Sequence, residues 1–327
     1  MKIIFWGTPE YAIKSLEKLI SSRHEVLAVI TQPDRKRLRG KNLIPSPIKS
    51  CSIQYGIDVL CPENIKNNKK FIETLREFNC DLFIVVAYGK ILSREILDIP
   101  KYGSWNSHAS LLPTWRGAAP IQWALLSGDL DTGVGIMKME EGLDTGNILI
   151  EEKIKIEKND NLATLSNKLS LLSSDLLIKA IELISKNHEK QINTIPQNTI
   201  DRKIKYARLI HKSDYKISFN DKAVQIKRKI NGLFPNAYIK NNNKIIKILK
   251  IRFLDNEELK TFNFLSLNRE LIVPGQIVGI IKNEGIIVNT LSEMIVIQEI
   301  KMEGKNISKG NQLIQQLKPV IGEIFSN

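Results

Sequence analysis

The feature that most constrains the fold is an uninterrupted apolar run, DLFIVVAY, at residues 81–88. Strands with this composition are buried on both faces and occur chiefly in parallel sheets that are covered by helices. Shorter strand-like runs lie at residues 2–6 and 25–30, and apolar residues recur at helical spacing over residues 12–20. This β-α-β alternation predicts a doubly wound α/β domain over the first ~150 residues. In such folds, ligands bind beyond the carboxyl ends of the strands.

The first predicted helix has a recognisable amino-terminal signal. Thr8 is a residue type that caps helices, Pro9 suits the first helical turn, and Glu10 favours the positive end of the helix dipole. A dinucleotide-binding loop needs the pattern G-x-G-x-x-G after the first strand, and only Gly7 is present there. The sequence therefore excludes a dinucleotide-binding dehydrogenase.

The sequence pattern changes after Gly146. Residues 148–156 are a predicted edge strand, and residues 161–186 are a predicted long amphipathic helix with leucines at three- and four-residue steps. A further helix-like segment follows at residues 223–231. Short strand-like runs with turn signals between them then predict a small β-barrel. These runs are residues 237–239, 244–253, 275–281, 285–289 and 294–300.

The same patterns predict how the chain divides into domains. Residues 193–206 are polar and extended, without helical or strand periodicity, which is typical of a linker. The predicted division is therefore a first domain over residues 1–192, a linker over residues 193–206, and a second domain over residues 207–327.

Positive charge is concentrated in the second predicted domain. Lys and Arg exceed Asp and Glu by 13 in the whole chain and by 10 in residues 201–327. Such asymmetry favours a polyanionic partner, nucleic acid before a membrane surface, because no basic amphipathic helix accompanies it. A general compositional bias toward Lys, Ile and Asn explains the charge about equally well.

The cysteines and the apolar segments indicate the compartment. Cys51, Cys61 and Cys80 form no C-x-x-C motif and cannot all pair, which predicts a reducing environment. The amino-terminal apolar run is too short for a secretory signal, and no apolar stretch approaches the ~20 residues that span a membrane. The sequence contains no metal-ligand spacing. We therefore expect a cytoplasmic protein with no membrane contact.

One block of the sequence contains the residues best suited to catalysis. Asn106 and His108 are two residues apart, so their side chains share one face of an extended strand. An amide donor beside an imidazole suits a reaction in which an oxyanion develops and a proton moves. Asp144 follows in the segment GLDTGN, where Gly142 and Gly146 allow a tight loop. From composition alone, a buried, hydrogen-bonded histidine is the commoner explanation of such a pair.

Residues 106–146, NSHASLLPTWRGAAPIQWALLSGDLDTGVGIMKMEEGLDTG, resemble the folate-dependent formyltransferases. The opening KIIFWGTPEYA and the segment TQPDRKRLRGKNLIPSPIK at residues 31–49 narrow the resemblance to the branch that acts on initiator methionyl-tRNA. Beyond residue ~150 the matches are scattered, as in LFPNAYI at residues 233–239. The resemblance implies a Rossmann-like formyltransferase domain followed by a small OB-like barrel.

The resemblance also implies the reaction and its catalytic residues. The formyl group of 10-formyltetrahydrofolate would pass to the α-amino group of methionine on the initiator tRNA, with no metal. Asn106, His108 and Asp144 align with the catalytic trio of the family. Asn106 and His108 would stabilise the oxyanion of a tetrahedral intermediate, while Asp144 would orient His108 and help to move the amine proton. Both roles for His108, general base and oxyanion stabiliser, stay open.

Binding residues for the folate follow from the same resemblance. They are Ser110, Leu111, Leu112, Pro113, and the backbone of Tyr88 and Gly89. An ordinary turn at the end of a strand is the alternative explanation of residues 110–113. Arg116 and Gly117 are expected to hold the loop in place rather than to contact a ligand.

A basic loop is expected to contact the tRNA. Its cations are Arg35, Lys36, Arg37, Arg39 and Lys41. A solvated surface run is the usual explanation of such a cluster, and Leu38 stands where the family often has glycine. Contacts from Lys and Arg to phosphates give affinity and register, whereas base identity is read by other contacts. The basic second domain agrees with an OB-like barrel that binds tRNA.

Other functions stay open at this point. A relative with the same trio could formylate a small amine or hydrolyse the formyl-folate, although the basic loop and barrel favour a tRNA. A non-enzymatic RNA-binding module is a third possibility, and the presence of all three trio residues argues against it. We expect the chain to act as a monomer.

Overall fold

The computed structural model describes residues 1–36, 43–187, 192–241, 244–255, 257–258 and 272–325. The chain forms two compact units. The first unit consists of residues 1–121, 130–156 and 164–209, and the second of residues 122–129, 157–163 and 210–327.

The first unit contains the larger sheet of the described residues, and two of the helices given with it here also include residues of the second unit. Its elements are β1 (Lys2–Gly7), α1 (Ile13–Ile20), β2 (Glu25–Ile30), β3 (Arg35–Lys36), β4 (Leu43–Ile44), α2 (Pro47–Gln54), β5 (Val59–Leu60), α3 (Lys69–Glu77), β6 (Leu82–Val86), α4 (Arg94–Leu97), β7 (Ser104–His108), β8 (Arg116–Gly117), α5 (Pro120–Ser127), β9 (Asp131–Lys138), β10 (Ile148–Lys155), α6 (Leu162–Lys186) and β11 (Tyr206–Ala207).

Seven of these strands form one sheet in the order β10-β9-β7-β6-β1-β2-β5. Strands β5, β2, β1, β6 and β7 run parallel, while β9 and β10 add antiparallel pairs. The predicted doubly wound sheet is confirmed, and β10 lies at its edge as predicted. The apolar run at residues 81–88 is β6, all five of whose residues are buried. It ends at Val86 because Ala87 has a φ of 49°, outside the extended region.

Aromatic side chains fill the core on one face of this sheet. Trp6 of β1 packs against Phe83 of β6 and against Tyr88, with ring centroids 5.3 and 5.1 Å apart. Phe71 of α3 meets the same indole edge to face at 6.1 Å. Burying such large rings stabilises the fold through the apolar area removed from water. The core thus joins the two central strands to the helix that covers them.

The start of the first helix differs from the prediction. Residues Glu10–Ala12 form a 3-10 turn before α1, and no side chain of the described residues caps this turn. The Thr8 hydroxyl donates instead to the carbonyl oxygen of Tyr88, 2.9 Å away. The predicted cap was wrong because β1 and β6 are neighbours in the sheet, which brings this carbonyl within reach of Thr8.

In its described residues, the second unit contains an antiparallel sheet that packs against helices. Its strands pair in the order β12-β13-β16-β15-β14, and β17 adds to β16. The predicted helix and the five predicted strands are confirmed, whereas β17 and the last helix had no predicted counterpart. Alternate residues of the longest strand, among them Ile246 and Ile248, enter a core with Ile226 and Ile230 of the first helix. The elements are α7 (Ala223–Gly232), β12 (Tyr238–Asn241), β13 (Lys244–Phe253), β14 (Ile277–Ile281), β15 (Gly285–Val288), β16 (Ile295–Met302), β17 (Ile307–Lys309) and α8 (Asn311–Leu317).

Within the described part of the chain, no helix combines the length and the apolar character that crossing a bilayer requires.

Candidate active site

Two of the predicted catalytic side chains lie on β7, one in its middle and one at its carboxyl end. Asn106 pairs with Val85 of β6, and His108 is the last residue of the strand. His108 is buried and Asn106 is half-buried, and their spacing puts both side chains on one face of the strand. The Asn106 amide has no hydrogen-bond partner among the described residues. Its donor and acceptor are therefore available to a ligand.

The face of β7 opposite these two side chains is hydrogen-bonded to a helix. The Ser107 hydroxyl lies 2.6 Å from the Ser173 hydroxyl of α6, which in turn lies 3.2 Å from the Ser15 hydroxyl of α1. All three serines are buried. Because Ser107 lies between the two candidate residues, this chain of hydroxyls fixes the strand that presents them.

The geometry around His108 distinguishes its two ring nitrogens. Nε2 lies 2.9 Å from the carbonyl oxygen of Trp115. A carbonyl can only accept, so Nε2 donates this hydrogen bond. Nδ1 faces Asp144, with Oδ2 3.7 Å away, and the two side chains are 6% and 12% exposed. In the neutral ring, Nδ1 is therefore the nitrogen without a hydrogen, and it faces a carboxylate.

Asp144 is held by its own loop. Its Oδ2 accepts a hydrogen bond from the Gly117 backbone N–H at 2.7 Å. The residue has a φ of 53°, in the left-handed region where Asp and Asn are among the better tolerated side chains. Gly146 is required here, because a Cβ at this position would overlap the carbonyl oxygen of Lys138. The loop thus fixes the carboxylate in its place facing His108.

A residue that the sequence analysis missed also touches this loop. Gln197 is 4% exposed and begins a 3-10 turn, Gln197–Thr199. Its Nε2 donates to the carbonyl oxygens of Asp144 and Gly146 at 2.9 and 2.8 Å. Its Oε1 accepts from Nε and Nη2 of Arg116 at 3.0 and 2.7 Å. A single glutamine in a polar segment carries no periodic signal, and its partners lie 51 to 81 residues away.

The residues around Gln197, predicted as a linker, lie against the loops of the first unit. Strand β11 pairs in parallel with β8. Nη1 of Arg202 donates to the carbonyl oxygen of Leu112 and to Glu151, at 2.7 Å in each case. The hydrogen bonds to Glu151 raise the pKa of Arg202. We call residues 197–207 the strap, because they cross both loops that flank the site. The predicted domain division stays a prediction.

Several groups of the predicted folate-binding turn are engaged within the protein. The buried Ser110 hydroxyl donates to the carbonyl oxygen of Thr114 at 2.6 Å. The Leu112 side chain is fully buried against Met137 and Ile148. Pro113 is also buried, and Leu111 is half-buried. The structure brings this turn directly after β7, and folate binding by it stays a prediction.

Tyr88 and Gly89 follow β6, next to β7 in the sheet. The Tyr88 ring is in the core, and burial raises the pKa of its phenol. The Tyr88 carbonyl oxygen already accepts from Thr8 and, at 2.8 Å, from Nε2 of Gln32. Gly89 is exposed with a φ of 82°. A ligand at this turn would therefore meet Gly89 rather than the Tyr88 side chain or carbonyl.

The predicted tRNA-binding loop is only partly described. Arg37, Arg39 and Lys41 lie outside the described residues. Arg35 and Lys36 form β3, which pairs antiparallel with β4. Binding of tRNA by these five cations stays a prediction.

Comparisons with known proteins identify the family of the chain. Residues 1–181 match the family model for formyl transferases, and residues 209–318 match the model for the formyl transferase C-terminal domain. A methionyl-tRNA formyltransferase of Prochlorococcus marinus (strain MIT 9515) is 56% identical over 329 residues, which cover 100% of both chains.

Two solved structures have the same fold. HypX from Aquifex aeolicus, in complex with tetrahydrofolic acid, matches with a TM-score of 0.61 at 13% identity, covering 99% of this chain and 48% of that one. An N-formyltransferase from Helicobacter canadensis, in complex with folinic acid and dTDP-3-aminofucose, matches with a TM-score of 0.60 at 20% identity. That match covers 91% of this chain and 99% of the other.

Proposed function

The chain belongs to the formyl transferase family, and from that premise we propose that it acts as a methionyl-tRNA formyltransferase. It moves the formyl group of 10-formyltetrahydrofolate to the α-amino group of methionine on initiator methionyl-tRNA. The observation that carries this proposal is the 56% identity, over the full length of both chains, to a methionyl-tRNA formyltransferase. The pairing of a formyl transferase domain with the family's C-terminal domain supports it.

The proposed role of Asn106 is to stabilise negative charge on the formyl oxygen. An α-amino group ordinarily has a pKa of ~7.7–8.0, and it attacks the formyl carbon as the free amine. As the new C–N bond forms, charge builds on the formyl oxygen, and a preorganised donor stabilises it. The Asn106 amide suits this task because no protein group occupies it among the described residues. Loss of such a donor typically lowers kcat by ~100- to 1000-fold.

The proposed role of His108 is to move the amine proton. The Nε2 hydrogen bond to Trp115 leaves Nδ1 as the accepting atom. A proton taken up there converts the ring to an imidazolium that faces the Asp144 carboxylate, and the ion pair stabilises it. When the tetrahedral intermediate collapses, the bond between the formyl carbon and the folate nitrogen breaks, and that nitrogen takes up the proton from His108, which returns to its neutral form. Asp144 therefore acts as the group that orients and stabilises His108.

The binding residues complete the proposal. Residues 110–113 and the turn at residues 88–89 are proposed to hold the folate, since they follow neighbouring strands at the carboxyl edge of the sheet, where ligands bind in such folds. HypX, which has this fold, binds tetrahydrofolic acid. Residues 35–41 and the basic second unit are proposed to bind the tRNA. The excess of ten positive charges in residues 201–327 supports tRNA binding by the second unit. We propose a cytoplasmic monomer.

Formyl transfer from 10-formyltetrahydrofolate to charged initiator tRNA tests the proposal. Charged elongator methionine tRNA and a reaction without tRNA are run beside it. Formylation confined to the initiator tRNA is the expected result. Folate turnover without tRNA would instead favour a hydrolase or a formyltransferase for small amines, and binding of tRNA without turnover would favour an RNA-binding module.

A further inference from the structure

One buried side chain contacts both loops that hold the Asp144 carboxylate. Gln197 donates from Nε2 to the carbonyl oxygens of Asp144 and Gly146, and it accepts at Oε1 from the Arg116 guanidinium. Both hydrogens of its amide and both lone pairs of its oxygen are therefore used. A buried amide that is satisfied at every atom has a single favourable position, because any shift breaks a hydrogen bond in a water-poor setting.

These contacts close a ring of hydrogen bonds around Asp144. Arg116 directly precedes Gly117, whose backbone N–H donates to Asp144 Oδ2 at 2.7 Å. The amide nitrogen of Gln197 thus binds the backbone of the Asp144 loop. The amide oxygen of Gln197 binds Arg116, which is next to the residue that donates to the Asp144 carboxylate. The distance between the Gly117 donor and the carboxylate is set from both sides. An amide meets both needs, since the two carbonyls require donors and the guanidinium requires an acceptor.

The strap anchors Gln197 at a second point. Strand β11 pairs with β8, which contains Arg116 and Gly117. Between the two, Arg202 bonds to Glu151 and to the carbonyl oxygen of Leu112. The strap therefore cannot move away from either loop without breaking hydrogen bonds at three places, namely at Gln197, at Arg202 and along β11.

We propose that Gln197 is a positioning residue for formyl transfer, which acts by fixing the Asp144 carboxylate against Nδ1 of His108. This inference rests on the proposed function, because Asp144 has its catalytic role there. Gln197 touches no substrate in this proposal. Its effect on the reaction passes through the Asp144 loop and through the turn that contains Gly117.

Two substitutions of similar size test it in the full-length protein. Gln197→Glu keeps an acceptor for Arg116 but turns an oxygen toward the two carbonyl oxygens. Gln197→Met removes both sets of hydrogen bonds. Because a displacement of ~1 Å can lower turnover by ~100-fold, we expect kcat to fall ~10- to 100-fold in both variants. The KM values for folate and for tRNA should stay within about twofold, since neither substrate contacts Gln197. Gln54→Glu, at an exposed position of α2, makes the same change of charge and should leave kcat within about twofold.

Amide hydrogen exchange separates positioning from a general loss of stability. The Gly117 N–H is held by Asp144, so its exchange should become at least ~10-fold faster in Gln197→Met, while the amides of β6 exchange at the wild-type rate. An unchanged kcat in both variants would overturn the inference. So would faster exchange throughout the sheet, with a fall in kcat that matches only the lost fraction of folded protein.

The same measurements distinguish this inference from the proposed function. If the wild-type protein does not formylate methionyl-tRNA, the proposed function fails. The exchange rate of the Gly117 amide still reports whether Gln197 holds the Asp144 loop. If this rate in Gln197→Met equals that of the wild type, the role of Gln197 is refuted whatever the outcome for the proposed function.

Discussion

Replacing Asp144 by asparagine removes one charge and leaves the shape of the site in place. Asn has nearly the same size as Asp, and both are tolerated in the left-handed backbone conformation that this residue adopts. The Asn oxygen can still accept the hydrogen bond from the Gly117 N–H. The main change is therefore the loss of the carboxylate charge that faces Nδ1 of His108.

The expected magnitude follows from the separation of the two groups. Oδ2 of Asp144 lies 3.7 Å from Nδ1 of His108, and both side chains are largely buried. At an effective dielectric constant of about 20, opposite unit charges at this distance attract each other by about 4 to 5 kcal/mol. If the imidazolium forms in the transition state, losing this attraction lowers kcat by about three orders of magnitude.

Single-turnover formylation with saturating substrates measures this loss, and filter binding measures tRNA affinity. We expect Asp144→Asn to lose nearly all turnover while the Kd for tRNA stays within about twofold. Asp175→Asn is the matched control. Asp175 forms an exposed ion pair with Lys18, and such pairs contribute little, so its turnover should be unchanged. A kcat for Asp144→Asn within about threefold of the wild-type value would refute the role of this charge.

Three further outcomes are expected. Neutralising Arg39 and Lys41 should reduce the salt dependence of tRNA binding, so that the slope of log K against log salt becomes shallower by about 1 to 2. Neutralising two exposed lysines of α6 is the control, and it should leave this slope unchanged. Hydrogen bonds from Arg252 lower the pKa of Glu258 to about 2, so this group stabilises the folded state at neutral pH and loses that effect as the pH falls from about 5 to 2. The urea midpoint of Arg252→Gln should therefore fall less steeply than that of the wild type over this range. Leu16→Ala, at a fully buried position of α1, should lower the free energy of unfolding by about 2 to 5 kcal/mol in urea denaturation.

The elements of the fold were predictable where their signal is local. The run at residues 81–88 reads as a buried strand from its apolar residues alone, and β6 is that strand. The leucines of residues 161–186 repeat at helical spacing, and α6 spans Leu162–Lys186. The prediction fails where a group distant in sequence takes a hydrogen bond that was expected to form locally. Thr8 has the chemistry of a helix cap, yet a carbonyl 80 residues away takes its hydroxyl.

The same distinction between local and distant signals applies to the candidate site. The two-residue spacing of Asn106 and His108 is a local property of a strand, so their common face could be predicted. The approach of Asp144 to His108 depends on a loop 36 residues further on, and only the resemblance to a family indicated it. Gln197 could not be found from sequence, because its hydrogen bonds are made to backbone carbonyls and to a guanidinium whose positions depend on the folded loops.

The two residues that bracket the His108 ring both have strained backbones. Trp115, whose carbonyl accepts from Nε2, has a φ of 64°, and Asp144, which faces Nδ1, has a φ of 53°. A left-handed conformation costs roughly 1–2 kcal/mol in a residue with a side chain, and it persists only where the surroundings hold it. At Trp115 the surroundings are burial of the indole and the ammonium of Lys205, 4.8 Å from the ring centroid. At Asp144 they are the hydrogen bonds from Gly117 and Gln197. Because the strap supplies both Lys205 and Gln197, the same segment of chain contacts both residues that flank the imidazole.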